Sequence, residues 1–237
     1  MLKTVIIHGQ SHKGTTWRIA RMLAEKTGGE ITEYFLPRDF GQFCTGCTKC
    51  FMDNETLCPH YKALQPITEA LDTSDIIILA SPVYVYHATG AMKSFLDHYG
   101  YRWMVHSPEP SMFRKQGVCI ATAAGGGMKS ATKDMADSLF YWGVARIERL
   151  GLAVAATSWD SVSDKKKAVI DRKTTFIARR IAGRAGHVKP GLRTKAMFAF
   201  IRMMMKKGWN KRDVRYWNEH GWLDKARPWK QSPGREK

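Results

Sequence analysis

The sequence predicts a doubly wound α/β fold built on a five-stranded parallel sheet, and three observations support this. Short apolar segments alternate about five times with segments of helical period. Most of the apolar segments are continuous, which is typical of parallel strands covered by helices on both faces. The chain has 237 residues, of which 44% are hydrophobic, so it can bury a substantial core. We therefore expect parallel strands joined by right-handed helical crossovers.

The elements follow one another in a regular order. KTVIIHG is predicted to be a buried strand, and TTWRIARMLAEKTGG an amphipathic helix with Ile19 and Leu23 on one face. EITEYFL alternates like a second strand and precedes a cysteine-rich loop. The further predicted elements are the helix ALQPITEALDTSD, the strand IIILASP, the helix GAMKSFLDHYGYRW, the strand GVCIATAAGGG, the helix SATKDMADSLFYWG and the strand RLGLAVAAT.

The C-terminal third of the chain is strongly basic. Residues 164–237 contain 22 Lys or Arg against 6 Asp or Glu, whereas the preceding part is close to neutral. One further helix is predicted after Ser163, a candidate N-cap. After the break KPG, the sequence departs from the α/β pattern and carries four of the eight tryptophans. We therefore predict a domain over residues 1–188 and a basic, Met- and Trp-rich helical arm over residues 189–237.

Composition also bounds the setting of the protein. The longest apolar runs are shorter than the roughly 18 to 20 residues that cross a bilayer. The N-terminal MLKTVIIHGQ lacks the long apolar region and cleavage site of a secretory signal. Four of the five cysteines fall within 15 residues, which favours a metal or redox role over a disulfide framework. We expect a cytoplasmic protein.

The loop after the first strand, HGQSHKGTTWRIA, joins a strand to a helix N-terminus. Such a loop offers hydroxyls, backbone N–H groups and the positive end of the helix dipole to an anion. It is neither a Walker loop, because Thr15 replaces the expected lysine, nor the G-x-G-x-x-G dinucleotide pattern. The alternative is an ordinary polar turn capped by Thr15 or Thr16. The candidate phosphate-binding residues are Gln10, Ser11, His12, Lys13, Gly14, Thr15 and Thr16.

The loops after the third and fourth strands complete the candidate site, because ligands of open α/β sheets bind at the carboxyl ends of the strands. Flat apolar and aromatic side chains with nearby backbone polar groups suit an isoalloxazine ring. Three consecutive glycines allow close backbone approach to a ligand. The alternatives are a strand end that packs its own aromatics and a flexible turn. The candidates are Pro82, Val83, Tyr84, Val85, Ala124, Gly125, Gly126 and Gly127.

Taken in order, these motifs resemble the flavodoxin-like NAD(P)H-dependent FMN reductase family, including its iron–sulfur flavoprotein branch. GQSHKGTT matches a GSPRKGNT-like phosphate loop, SPVY and GAMKSFLD match segments bordering the flavin, and TAAGGG matches a glycine-rich loop covering it. The resemblance spans residues 3–160. Gln10 replaces the usual serine and His12 the usual arginine. The resemblance implies bound FMN, NAD(P)H as a substrate and a homodimer.

The cysteines follow the pattern C-x2-C-x2-C-x7-C within the cysteine-rich loop, residues 43–59. The ligand set of the iron–sulfur branch resembles this pattern, and a proline follows the last cysteine as in bacterial ferredoxins. A [4Fe–4S] cluster is therefore one prediction, and free thiols and a structural zinc are the alternatives. Cys119 is predicted to be a buried core residue. The candidate cluster ligands are Cys44, Cys47, Cys50 and Cys58.

The resemblance implies hydride transfer from NAD(P)H to FMN, followed by reduction of a quinone, a flavin or another small acceptor or redox protein. No catalytic residue is assigned. One alternative is an iron–sulfur flavoprotein electron carrier fed by ferredoxin. A second, from another class, is a basic binding module without redox activity. Nucleic-acid binding is not expected, since the sequence has no recognition motif besides its charge.

The arm has two interpretations. It packs on a twofold partner with Trp209, Trp217 or Trp222 near the neighbour's flavin, which is the dimer expected above. Alternatively it lies as a peripheral element on an anionic membrane surface. The basic residues for that contact are Lys206, Lys207, Lys211 and Arg212.

Overall fold

The structure, a computed structural model, describes residues 1–156 and 158–230. Its centre is a sheet of five parallel strands in the order β2-β1-β3-β4-β5. The predicted doubly wound fold is confirmed. The strands are β1 (Lys3–His8), β2 (Glu30–Phe35), β3 (Ile76–Pro82), β4 (Gln116–Ala123) and β5 (Arg146–Ala153).

Helices cover both faces of the sheet. One face packs under α1 and α6, with Ile19, Leu23 and Ile177 in its core. The other packs under α3, α4 and α5, with Ile67 and Phe95 in its core. The helices are α1 (Thr15–Thr27), α2 (Lys49–Met52), α3 (Tyr61–Thr73), α4 (Gly90–Asp97), α5 (Met128–Tyr141), α6 (Asp164–Ala182), α7 (Leu192–Lys206) and α8 (Lys211–Glu219).

Some predicted boundaries differ from the observed ones. The helix predicted to run to Trp103 ends at Asp97, because the chain tightens into a 3-10 turn at Gly100–Arg102. A side chain at Gly100 would lie 3.0 Å from the Phe51 ring, so the chain packs closely there. The fifth strand begins at Arg146 instead of 149, since this edge strand pairs with β4 along its whole length. Ser163 precedes α6 but its side chain caps none of the described N–H groups.

The arm folds onto its own chain. Trp217 and Trp222 are fully buried, in a cluster with Phe113, Phe140 and Phe198. Both tryptophans are therefore unable to approach a neighbour's flavin, which corrects the sequence-based placement. The reason is that loops around Phe113 present aromatic surface that the α/β pattern does not reveal. Trp209 stays 59% exposed.

The apolar segment AMFAFIRMMM is buried on one side of α7 only. Phe198, Ile201 and Met205 face the protein interior, whereas Phe200 and Met203 are exposed. Within residues 1–156 and 158–230, the structure has no helix with the length and apolar character needed to cross a bilayer.

Candidate cofactor-binding site

A cavity of about 580 Å³ opens at the carboxyl ends of β1, β3, β4 and β5. Its volume is within the range of about 300 to 1,000 Å³ that is usual for small-molecule sites. The described residues that line it are Gln10, His12, Thr15, Thr16, Pro82, Val83, Tyr84, Thr122, Ala123, Ala124, Val154, Ala155, Ala156 and Ser161. The three loops singled out in the sequence thus meet at one cavity.

The N-terminus of α1 faces this cavity. Gly14 is the N-cap, and no described side chain satisfies the first N–H groups of the helix. The hydroxyl groups of Thr15 and Thr16, by contrast, already have hydrogen-bond partners. Thr15 Oγ1 donates to the carbonyl of Ala156 at 3.2 Å, and Thr16 Oγ1 lies 2.6 Å from Thr122 Oγ1. The open backbone N–H groups and the helix dipole are therefore the main features that would attract a phosphate.

Two of the predicted phosphate-binding side chains point elsewhere. Ser11 donates its hydroxyl to the carbonyl of Leu36 at 3.3 Å. The Lys13 ammonium lies 5.3 Å from the Trp17 ring centroid and 5.9 Å from that of Phe35, in cation–π geometry. Neither residue is among the described residues of the cavity wall.

The loop after β3 is a tight two-residue turn. The backbone N–H of Tyr84 donates to the carbonyl of His87 and the N–H of His87 to the carbonyl of Tyr84, both at 3.0 Å. Val85 (φ 47°) and Tyr86 (φ 66°) adopt left-handed conformations, which glycine or asparagine usually occupies in such turns. Val85 is 93% exposed and is not among the described residues of the cavity wall.

The glycine-rich loop after β4 reaches the cavity only at its first residue, Ala124. Gly125, Gly126 and Gly127 are not among the described lining residues. Gly127 has φ +84°, and a Cβ there would lie 2.5 Å from Val83 Cγ1. These glycines allow the loop to pack closely against the turn after β3.

Part of the cavity wall was not predicted from the sequence. Thr122 is the side chain that Thr16 contacts, and Val154, Ala155, Ala156 and Ser161 follow β5. Because β5 pairs with β4 in parallel, its carboxyl end lies at the same edge of the sheet. The parallel pairing of β4 and β5 would have indicated that the loop after β5 borders the cavity. The sequence of that loop has no glycine run or aromatic cluster that marks it as part of a site.

A charged cluster holds the elements that flank the loop after β1. Glu33 Oε1 accepts hydrogen bonds from His8 Nε2 and Trp17 Nε1, each at 2.9 Å, and Glu33 Oε2 accepts one from Arg21 at 2.8 Å. Hydrogen bonding to His8, together with Arg21 and Trp17, lowers the pKa of Glu33 to about 2 against the opposing effect of burial. Glu33 therefore ties the end of β1 to the first two turns of α1.

The cysteine-rich loop brings its thiols near one another. Cys44 and Cys47 are exposed, Cys50 and Cys58 are half-buried, and none of these four forms a disulfide with another described residue. Burial, and then the neighbouring thiols Cys58, Cys44 and Cys47, raise the pKa of Cys50 to about 11. The backbone N–H of Lys49 lowers the pKa of Cys47. Cys119 is buried in the sheet core, as predicted.

The arm contacts the cysteine-rich loop through Arg212 of α8. Its guanidinium donates to the Asp53 carbonyl at 2.7 Å, to the Glu55 carboxylate at 3.2 Å and to the Ser107 hydroxyl at 2.8 Å. The next residue, Asp213, is fully buried and accepts a hydrogen bond from His106 Nδ1 at 2.8 Å. The last helix therefore anchors the loop between its third and fourth cysteines.

This fold defines a flavodoxin-like α/β protein with a cavity at the carboxyl ends of its strands. Residues 2–158 match the family described as NADPH-dependent FMN reductase. The match covers more than half of the chain, so the protein belongs to that family, as the sequence motifs predicted.

Two curated relatives are iron–sulfur flavoproteins. One, from Archaeoglobus fulgidus, is 31% identical over 103 residues, which cover 44% of this chain and 44% of the relative. This alignment spans less than half of the length of that protein. The other, from Methanocaldococcus jannaschii, is 25% identical over 167 residues, which cover 68% of this chain and 82% of the relative.

Solved structures share the fold at low identity. The apo form of an NADH:FMN oxidoreductase has a TM-score of 0.57 and 16% identity, covering 83% of this chain and 99% of its own. An FMN-dependent NADH-azoreductase from Bacillus anthracis, in complex with FMN, has a TM-score of 0.54 and 11% identity, covering 76% of this chain and 99% of its own. At these identities the similarity establishes the fold alone.

Proposed function

We propose that this protein is an FMN-dependent NAD(P)H oxidoreductase that passes electrons from nicotinamide to a quinone, a flavin or another small acceptor. The observation that carries the proposal is the cavity at the carboxyl ends of the strands, in a chain of the FMN reductase family. Open α/β sheets bind their ligands at this position. The iron–sulfur flavoprotein relatives add support for a flavin.

The residues present fit FMN. The N-terminus of α1 would hold the phosphate through the N–H groups that follow Gly14. Pro82, Val83 and Tyr84 would flank the ring, and the backbone beyond β4 and β5 would offer hydrogen bonds to its edge. When bound, FMN supplies the hydride-accepting chemistry, and the chain positions the substrates and excludes water. We assign no acid–base residue to the protein.

The proposal also covers the cellular location and the oligomeric state of the protein. We propose a cytoplasmic homodimer, in which a second subunit would contribute to closing the cofactor site. Trp217 and Trp222 are buried within their own chain and would not take part in such a contact. The exposed Trp209 is accessible to a partner or to a membrane surface.

Flavin binding and nicotinamide oxidation test the proposal directly. We expect FMN to bind the purified protein and to lose its visible absorption when NADPH or NADH is added without oxygen. Ala124→Trp would fill the cavity and abolish FMN binding, whereas Ala199→Trp, on the exposed face of α7, is the matched control. A folded protein that retains no FMN after incubation with excess FMN and removal of the unbound flavin would refute the proposal. It would favour a non-redox basic binding module.

The second candidate function is an electron carrier with a [4Fe–4S] cluster, fed by ferredoxin. The pattern C-x2-C-x2-C-x7-C favours it, because it places four thiols on one loop. Four thiolates on one loop are the ligand set of such a cluster. Protein purified without oxygen should then contain about four irons and four sulfides per chain. Flavin without iron would leave the cysteines as free thiols and the reductase proposal alone.

A further inference from the structure

Two histidines lie beside the last cysteine of the cysteine-rich loop. Cys58 and His60 precede α3, and His98 follows α4. One ligand atom from each of the three residues lies within 4.8 Å of the other two. His60 is separated from His98 by 38 positions in sequence, so the fold and not the local motif brings these atoms together.

Hydrogen bonding prepares His98 to act as a ligand. Its Nδ1 lies 2.8 Å from the backbone carbonyl of Ser94, which can only accept, so Nδ1 carries the proton. In the neutral ring, the lone pair is then on Nε2, where it accepts a hydrogen bond from His60 Nδ1 at 2.9 Å. A backbone acceptor on the remote ring nitrogen is the usual second interaction of a metal-binding histidine.

The surroundings shield this group from solvent. His98 is 5% exposed, and the buried Phe40 ring packs nearly perpendicular to its ring, with ring centroids 4.8 Å apart. The Phe40 ring also contacts His60, at 6.4 Å between centroids. Cys58 remains half-buried, which leaves the thiol accessible to an ion from solution.

We propose that Cys58, His60 and His98 bind a single divalent ion of the Zn²⁺ class. One thiolate and two imidazoles are ligands that this class prefers. Tetrahedral bonds of about 2.0 to 2.3 Å separate neighbouring ligand atoms by about 3.3 to 3.6 Å. His60 Nδ1 and His98 Nε2, which are 2.9 Å apart, would therefore move slightly apart when an ion binds, and the proton between them would be released. A water molecule would take the fourth position.

The site has a consequence for the cysteine-rich loop. Cys58 is also the fourth candidate ligand of the cluster, so the two kinds of site compete for one thiolate. A bound Zn²⁺ ion would leave only Cys44, Cys47 and Cys50 for iron. The mononuclear site needs neither FMN nor the other three cysteines, and it therefore stands independently of the proposed function.

Cobalt titration of a variant that lacks three of the four candidate cluster ligands tests the proposal. In the triple variant C44S/C47S/C50S, prepared free of metal, we expect one Co²⁺ per chain, with a thiolate charge-transfer band and tetrahedral visible bands, displaced by Zn²⁺. In this background, His60→Ala, His98→Ala and Cys58→Ser should each weaken Co²⁺ binding roughly 100-fold, because few ligands share the binding free energy. His187→Ala changes an exposed histidine elsewhere and is the control.

Two outcomes would overturn the site. One is a folded triple variant that shows no thiolate–cobalt band, and the other is a band that survives both histidine substitutions. Because His98 is buried, its variant is checked by circular dichroism, and the half-buried His60 supplies the test if His98→Ala does not fold. FMN binding by the triple variant is measured separately, so failure of the proposed oxidoreductase function remains distinguishable from failure of the metal site.

Discussion

Replacing Glu33 by glutamine should reduce stability at neutral pH and abolish one part of the pH dependence of folding. Glu33 is the common acceptor for His8, Trp17 and Arg21. Its side chain is 16% exposed, and the ion pair with Arg21 spans 2.8 Å. Glutamine keeps the shape of the side chain but removes the charge that these three donors stabilise.

The magnitude follows from the pKa of Glu33, which is lowered from 4.5 to about 2 by the hydrogen bonds to His8, Arg21 and Trp17. Each unit of difference between the folded and unfolded pKa corresponds to about 1.4 kcal/mol, and solvent screening reduces the total to about 2 kcal/mol. Because the folded pKa is the lower one, the stabilisation is complete above pH 4.5 and is lost as the pH falls towards 2.

Urea denaturation between pH 7 and pH 2.5 measures the effect. The wild-type protein and Glu33→Gln should differ by about 2 kcal/mol in the free energy of unfolding at pH 7, and the difference should shrink below pH 4.5. Glu25→Gln is the matched control, since Glu25 also pairs with Arg21 but its side chain is 46% exposed. A difference between wild type and Glu33→Gln that stays constant across this range would refute the reasoning.

Substitutions at three further residues test other parts of the structure. Gly127→Ala should lower the free energy of unfolding by about 2 kcal/mol in urea titration, because φ is +84° and Val83 is too close; equal stability would contradict this. Trp222→Ala should cost about 3 to 5 kcal/mol in the same assay. Trp222→Phe should cost less than half of that, since the buried indole N–H has no hydrogen-bond partner among the described residues. Arg212→Ala should speed alkylation of Cys50 and Cys58 about tenfold, because it removes a charge-assisted hydrogen bond, worth about 1.5 kcal/mol, that holds the cysteine-rich loop. Arg215→Ala changes an exposed arginine of the same helix and is the control.

The sheet and most of the cavity wall could be predicted from the sequence. Continuous apolar runs such as IIILASP indicate parallel strands that are buried on both faces. The carboxyl ends of such strands meet at one edge of the sheet, where the ligand site is expected. The loop after β5 was not predicted as part of the wall, because Val154, Ala155 and Ala156 contribute shape and backbone groups that no composition signal marks.

The direction of side chains and the contacts of the arm could not be predicted. Lys13 is in the predicted loop, yet it packs over Trp17, a choice decided by local aromatic surface. The burial of Trp217 depends on Phe113 and Phe198, which lie far apart in the chain. Periodicity shows that a helix has an apolar face but does not show which surface covers that face.

The contact between Arg212 and the backbone at Asp53 also sets an order of events during synthesis. The two residues are 159 positions apart. At about 5 to 20 residues per second, roughly 8 to 30 seconds separate their emergence from the ribosome. Until then the cysteine-rich loop lacks the hydrogen bonds that fix Asp53 and Glu55. The finished loop therefore depends on α8, and any metal that the loop binds in that form arrives after Arg212 has been synthesised.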